Sequence, residues 1–337
     1  MNHTTYNYAG MFATALRWVT GWTYFSAFWR RLVLENKLNP GEAGYIGEKF
    51  NHFLPNALGI KPMIEYLVSH PEALWWAMAI FTIVEGIVGL FFMLGLFTRA
   101  ASIAVMGLAL GILLGSGWLG TTCLDEWQIG ILGIAAGFTI FLTGGSYYSL
   151  DRYIVRKRKR TSAKPLLQWL GSGDLNIKEP VLKKIALAGA VFIFGLSLFT
   201  NQYFHGGVYG KLHNLSVRPH VTISEPKIDA GTLSFTVFRD EGADVYGSFL
   251  IGVQLKDEKG HILYQQNQEQ LAALEPGQIK NSYVAKVKPG KHSLVLPLGA
   301  RAQLQFSDPA LQNLQGVFTL TLTDISGLVW EETISVP

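Results

Sequence analysis

One cysteine occurs in 337 residues, and it lies in GSGWLGTTCLDEWQIG (115–130) between two apolar stretches. Cys123 is followed by Asp125, Glu126 and Trp127. A thiolate is a nucleophile whose availability is set by the charges around it. The two carboxylates raise a thiol's pKa. A helix N-terminus capped by Asp125, or a nearby arginine, lowers it. A lone thiol has no resolving partner, so an internal dithiol relay is excluded. These residues leave two readings open: a small buried hydrophobe, or a single nucleophile.

Other side chains of the same kind stand at the ends of apolar segments. Arg30 and Arg31 are adjacent guanidiniums, suited to a bidentate grip on an oxyanion or to anchoring at an interface. His205, Lys211 and His213 fall in NQYFHGGVYGKLHNLS, where glycines at 206, 207 and 210 predict a turn. Trp118 and Trp127 flank the cysteine, as an interfacial aromatic belt would. Glu85 sits at the centre of LWWAMAIFTIVEGIVGLFFMLGLF, where a charge is costly unless paired or hydrated. Arg17 lies about 9 Å into the first apolar segment at 1.5 Å per residue, so an Arg17–Glu85 pair is one reading. The other makes Glu85 a proton carrier or a ligand for a polar head group. Arg99, in a short FTR turn, belongs to the same structural or proton-path group.

Several chemistries lack their residues. The eight histidines are at 3, 52, 70, 205, 213, 220, 261 and 292, outside the apolar segments, so haem ligation within a bundle is not expected. No CxxCH, iron–sulfur cysteine set or G-x-G-x-x-G after a strand is present, and no metal or flavin site is predicted. Redox chemistry would therefore pass directly between substrates, or use a cofactor from another subunit.

The elements that position these groups follow from composition. The chain is 49% hydrophobic and 15% charged, with mean hydropathy +0.24, against about 25% charged in soluble domains. Five apolar stretches approach the roughly 20 residues needed to cross a bilayer: about 11–29, 73–97, 100–120, 127–148 and 183–200. The first lacks a basic flank and a cleavage site and is expected to persist as a helix. Between the fourth and fifth lies DRYIVRKRKRTSAK, with five consecutive positive charges from Arg156 to Arg160. The positive-inside rule makes this linker and the N-terminus cytoplasmic, and puts the Cys123 turn and everything after residue 200 outside. This run accounts for most of the net charge of +4, and no nucleic-acid partner is inferred from it.

After about residue 215 the pattern alternates, as in GTLSFTVF (231–238), SFLIGVQL (248–255), HSLVLPL (292–298), RAQLQF (301–306) and VFTLTLTD (317–324). Period-2 patterning with KDEKG and EPGQ turns predicts an antiparallel β-sandwich. The expected architecture is a four-helix transmembrane bundle (1–150), a basic cytoplasmic linker (151–182), a fifth transmembrane helix (183–200) and an extracytoplasmic β-sandwich (201–337). The loop GYIGEKFNHFLPNALGIKPMIEYL is expected to lie on the membrane as an amphipathic lid.

VEGIVGLFFMLGLFTRAAS (84–102) resembles the DoxX-like membrane family, and GSGWLGTTCLDEWQIG resembles its DoxD branch. The half from the fifth apolar segment through FHGGVYGKLHN into the sandwich resembles DoxA. Together they resemble a fused thiosulfate:quinone oxidoreductase of the cell membrane, which joins two thiosulfates into tetrathionate and passes the electrons to quinone. The resemblance implies thiosulfate, a membrane quinone and the lipid bilayer as partners, and leaves room for a homo-oligomer or a respiratory-chain partner. It gives Cys123 the role of nucleophile through a Cys–S–S–SO3 adduct, with Glu126 or His213 managing protons. Arg30, Arg31, Lys211 and His205 would hold the sulfonate, and Trp118, Trp127 and Asp125 would face the quinone. A sulfur-oxyanion transporter and a non-catalytic scaffold with a partner-binding β domain are the alternatives.

Overall fold

The computed structural model describes residues 3–120, 125–157, 169–172, 175, 177–244 and 247–336. They form two compact units. One consists of Met1–Tyr45, Trp76–Trp118 and Thr122–His213, the other of Ile46–Trp75, Leu119–Thr121 and Asn214–Pro337.

The helical unit begins with α1 (His3–Phe12) and α2 (Thr14–Phe28), separated at Ala13, and α2 runs into a π-helical turn, Trp29–Leu34. The first apolar stretch is therefore broken rather than one continuous helix over 11–29. Two short helices follow, α3 (Ile46–Phe53) and α4 (Lys61–Ser69), which belong to the other unit. Then come α5 (Pro71–Leu94), α6 (Thr98–Ser116), α7 (Asp125–Thr143), α8 (Leu150–Lys157) and α9 (Glu179–His205). Among the described residues, α5, α6, α7 from Glu126, and α9 are long and apolar enough to cross a membrane. None of the most apolar window of α9 is buried within the chain, and Leu187, Phe192 and Phe194 are all more than 60% exposed. An apolar helix surface left this open is stable beside acyl chains and not in water.

Small residues let the helices approach closely, the usual device where no hydrophobic force separates helix from solvent. A Cβ on Gly89 of α5 would stand 2.4 Å from the Phe25 backbone nitrogen of α2, one on Gly86 would strike the Phe28 ring, and one on Gly21 would meet Met93. Gly130 meets Leu113, and Gly137 meets Met106, in the same way between α7 and α6.

Among the described residues, the second unit holds ten strands in two antiparallel sheets. One has the order β1-β2-β8-β5 and the other β10-β9-β3-β7-β6, with β4 also paired to β3. The strands are β1 (His220–Asp229), β2 (Thr232–Glu241), β3 (Ser248–Lys256), β4 (Ile262–Asn267), β5 (Ile279–Asn281), β6 (Lys288–Pro289), β7 (Leu294–Leu296), β8 (Arg301–Ser307), β9 (Gly316–Asp324) and β10 (Val329–Val336). Alternate residues of both sheets, such as Leu233, Phe235, Leu304, Leu320 and Leu322, enter one buried cluster. A short α10 (Gln268–Ala272) begins with a capping box at Asn267.

The segment expected to lie on the membrane is instead part of this unit. Asn51 of α3 is fully buried; its amide donates to Gly299 O (2.7 Å) and its oxygen accepts from Ala285 N (3.1 Å). Tyr283 donates to Glu65 (2.7 Å), and Leu54, Ile64 and Val68 pack with Tyr283, Val284 and Phe238. The apolar faces of both amphipathic helices are used against the β structure.

Beside Asn51, both ring nitrogens of His52 are buried without a hydrogen-bond partner among the described residues, although the residue as a whole is partly exposed. Burial drives its pKa down to about 4; Asp244 opposes this, while Lys49 and Arg239 add to it. The unfolded chain takes up a proton near pH 6.5 and the folded one does not until about pH 4. Stability from the neutral imidazole is thus present above about pH 6.5 and lost as the pH falls towards 4, by up to roughly 3 kcal/mol. Melting of the full chain at both pH values should show the wild type losing more than His52→Phe. Equal losses would assign the acid sensitivity to other groups.

Candidate functional site: a charged pair within the helical unit

Glu85 is 3% exposed on α5 and forms a salt bridge to Arg31, with Nη1 and Oε2 2.5 Å apart. The expected Arg17–Glu85 pair is not formed. The close packing of α2 and α5 gives the reason. Gly89 lies against Phe25, Gly86 against Phe28 and Met93 against Gly21. In this antiparallel register Glu85 falls opposite Trp29, two residues from Arg31, whereas Arg17 falls beyond the end of α5, with its guanidinium against Gly95. The π-helical turn carries Arg30 and Arg31, and such turns are frequent at functional positions. It divides the two guanidiniums: Arg31 is committed to Glu85, while Arg30 is exposed and donates to Ser26 O (3.3 Å).

Arg17 and Arg99 belong to a knot at the end of the unit where α6 begins. Arg17 is 1% exposed and donates from Nη2 to Tyr148 O (2.5 Å). Arg99 is fully buried and donates to Phe141 O (3.1 Å) and Trp169 O (3.2 Å). At the centre of the knot, Asp151 accepts from Phe97 N (2.7 Å), Thr98 N (3.0 Å), Thr98 Oγ1 (2.6 Å) and Ser172 Oγ (2.8 Å). A carboxylate that takes the first amides of α6 also suits the positive end of the helix dipole. Asp151 was hidden in sequence because it opens a segment that reads as a solvated basic linker. The linker's residues 158–168 lie outside the described ones, as do the side chains of the Arg156–Arg160 run. Near this knot an open groove of about 830 Å³ is lined by Trp18, Trp22, Tyr147, Tyr148 and Tyr153 with apolar neighbours. Among the described residues its lining is apolar and aromatic, with no charged side chain.

At the far end of α6 stand the groups singled out around the cysteine. Trp118 is fully buried, so its face is not open to an arriving ring. Trp127 is half-buried and donates to Thr200 Oγ1 on α9 (2.9 Å). His205 is fully buried, with Nε2 3.0 Å from Gly117 O, and acts as a brace between α9 and α6 rather than as an exposed ligand. Gly206, at φ +63°, reverses the chain, and a Cβ there would stand 2.9 Å from His213 Nδ1. The reversal is tied by His213 N donating to His205 O (3.0 Å) and leaves His213 and Lys211 exposed. Glu126 lies half-buried in the first turn of α7. Cys123 and the Asp125 side chain lie outside the described residues; α7 itself begins at Asp125.

The structure thus joins Arg31 to Glu85 and His213 to the neighbourhood of His205, and sets Arg17 and Arg99 apart from both. It adds Tyr24 and Thr82, two buried hydroxyls near Glu85 that composition and periodicity treat as ordinary helix residues.

Comparison with protein families accounts for both units. A model described as TQO small subunit DoxD matches residues 12–183, more than half the chain, and one described as TQO small subunit DoxA matches residues 204–333. TQO denotes thiosulfate:quinone oxidoreductase. The gap between the matches falls within α9. The chain belongs to the DoxD family and carries DoxA behind it, two small-subunit types of thiosulfate:quinone oxidoreductase fused in one polypeptide.

Proposed function

We propose that this chain oxidises thiosulfate to tetrathionate and reduces a membrane quinone without a resident cofactor. The observation that carries this reading is the fusion of both TQO small-subunit types on a membrane-type helical unit in which buried Glu85 pairs with half-buried Arg31. In this reading the broken α1–α2 segment and its π turn form a fifth crossing. The N-terminus and basic linker are cytoplasmic, and the β unit is an extracytoplasmic sandwich.

The reaction balances through one thiol. The Cys123 thiolate attacks the outer sulfur of thiosulfate, giving Cys–S–S–SO3⁻ as two electrons pass to the quinone. A second thiosulfate attacks that disulfide, releases tetrathionate and restores the thiolate. Quinone gains those two electrons and two protons to become quinol. Arg30, exposed beside the charge-neutralised Arg31–Glu85 pair, attracts the sulfonate together with Lys211. His205 positions the 206–213 turn; Glu126 and His213 exchange protons with outside water. Trp127 and Asp125 edge the quinone site, and buried Trp118 backs it. Glu85 is the acid within the helices.

The test is an assay of the purified full chain in detergent with thiosulfate and a short-chain quinone. Thiosulfate-dependent quinol formation is expected. Uptake of thiosulfate into vesicles without quinone reduction would instead make the protein a transporter, and neither activity would leave a scaffold.

A further inference from the structure

Among the described residues, Tyr24 Oη on α2 and Thr82 Oγ1 on α5 are buried with no hydrogen-bond partner. Tyr24 is 3% exposed and Thr82 0%. Both belong to the surroundings of Glu85. Thr82 precedes it by three residues and shares its face of α5, and Tyr24 lies on the facing helix α2, within two turns of Trp29, the residue opposite Glu85. The Tyr24 hydroxyl reaches into the helical unit because α7 has a glycine there. A Cβ on Gly133 would stand 2.7 Å from Tyr24 Oη and 2.8 Å from the Ala109 methyl of α6.

An unpaired buried hydroxyl costs about 1–3 kcal/mol. Phenylalanine and valine fill nearly the same space as tyrosine and threonine without that cost, so packing alone does not explain two such groups around one buried acid. Hydroxyls and carboxyls in a chain through an apolar phase are what a proton relay requires.

We propose that Tyr24 and Thr82 are the hydroxyl members of a proton path in which Glu85 is the acid, carrying protons between water and the quinone oxygens. This rests on the quinone-reducing reading above. Each hydroxyl accepts a proton on a lone pair as it releases its own, with water bridging between groups, so the path ends each turnover unchanged. The electrons come from the sulfur couple and do not use it. Arg31, with the charge of Arg30 nearby, holds the carboxylate in place.

Tyr24→Phe and Thr82→Val in the full chain separate this role from a structural one. The path requires quinone reduction at saturating thiosulfate to fall by about tenfold or more. The solvent deuterium isotope effect should rise, the KM for thiosulfate stay unchanged, and Tm stay equal or increase. Variants as fast as an active wild type, with the same isotope effect, overturn the path alone. So do variants whose activity and Tm fall together. A wild type that does not reduce quinone removes the underlying reading, and the path with it.

Discussion

Cys123→Ser in the full chain is expected to insert and fold like the wild type and to lose most of its thiosulfate-dependent quinone reduction. Serine nearly matches cysteine in size. Its hydroxyl, however, ionises far above neutral pH, while a thiol can be brought into that range by positive charge or a helix N-terminus. α7 starts at Asp125, two residues beyond the thiol, so a helix N-terminus is close in sequence. Opposing it are the acids Asp125 and Glu126. With one thiosulfate and quinone but no second turnover, the peptide containing Cys123 should gain the mass of one thiosulfate. A serine variant that forms tetrathionate at the wild-type rate would sink the covalent route and require two thiosulfates to couple directly at the quinone.

The second large effect concerns the buried pair. Arg31→Met leaves Glu85 as a lone carboxyl among helices, and breaking a buried pair from one side typically costs about 3–5 kcal/mol. Protonation of the stranded acid limits that cost. Adding Glu85→Gln should return most of the lost thermal stability, because the uncompensated charge is gone. Activity should not return, since the double variant lacks both the acid and the guanidinium. Recovery of activity with stability would reduce the pair to a structural clamp. Arg31→Lys probes geometry, because it keeps the charge but loses the planar fork.

Much of the fold was legible where one physical requirement dominates. Segments 73–97, 100–120, 127–148 and 183–200 correspond to helices α5, α6, α7 and α9, since apolar length leaves little alternative. The strands of the core were equally plain: β3, β8 and β9 lie within a residue of the alternating segments 248–255, 301–306 and 317–324. β1 escaped because Pro226 interrupts its pattern. The structure accommodates it with a register shift between Ser224 and Lys227 and a positive φ at Glu225. β10 escaped because most of its residues face outward. The helices of 46–75 were recognised as amphipathic, but amphipathicity does not tell a membrane surface from a sheet. The partner, around Tyr283, is more than two hundred residues away in sequence. The candidate site was less legible. Residue type identifies Glu85 as costly and Arg31 as an anion grip or anchor, but their pairing depends on the α2–α5 register set by Gly21, Gly86 and Gly89. The same register leaves Arg17 to the carbonyl of Tyr148.

Anaerobic stoichiometry with the purified single chain tests the central claim most directly. Thiosulfate, tetrathionate and quinol are counted together in one reaction, and the protein's absorption spectrum is recorded beforehand. The account predicts two thiosulfates consumed and one tetrathionate formed for each quinol, at a rate that needs no added protein. Quinol formed without tetrathionate, or only when another subunit is supplied, would contradict it.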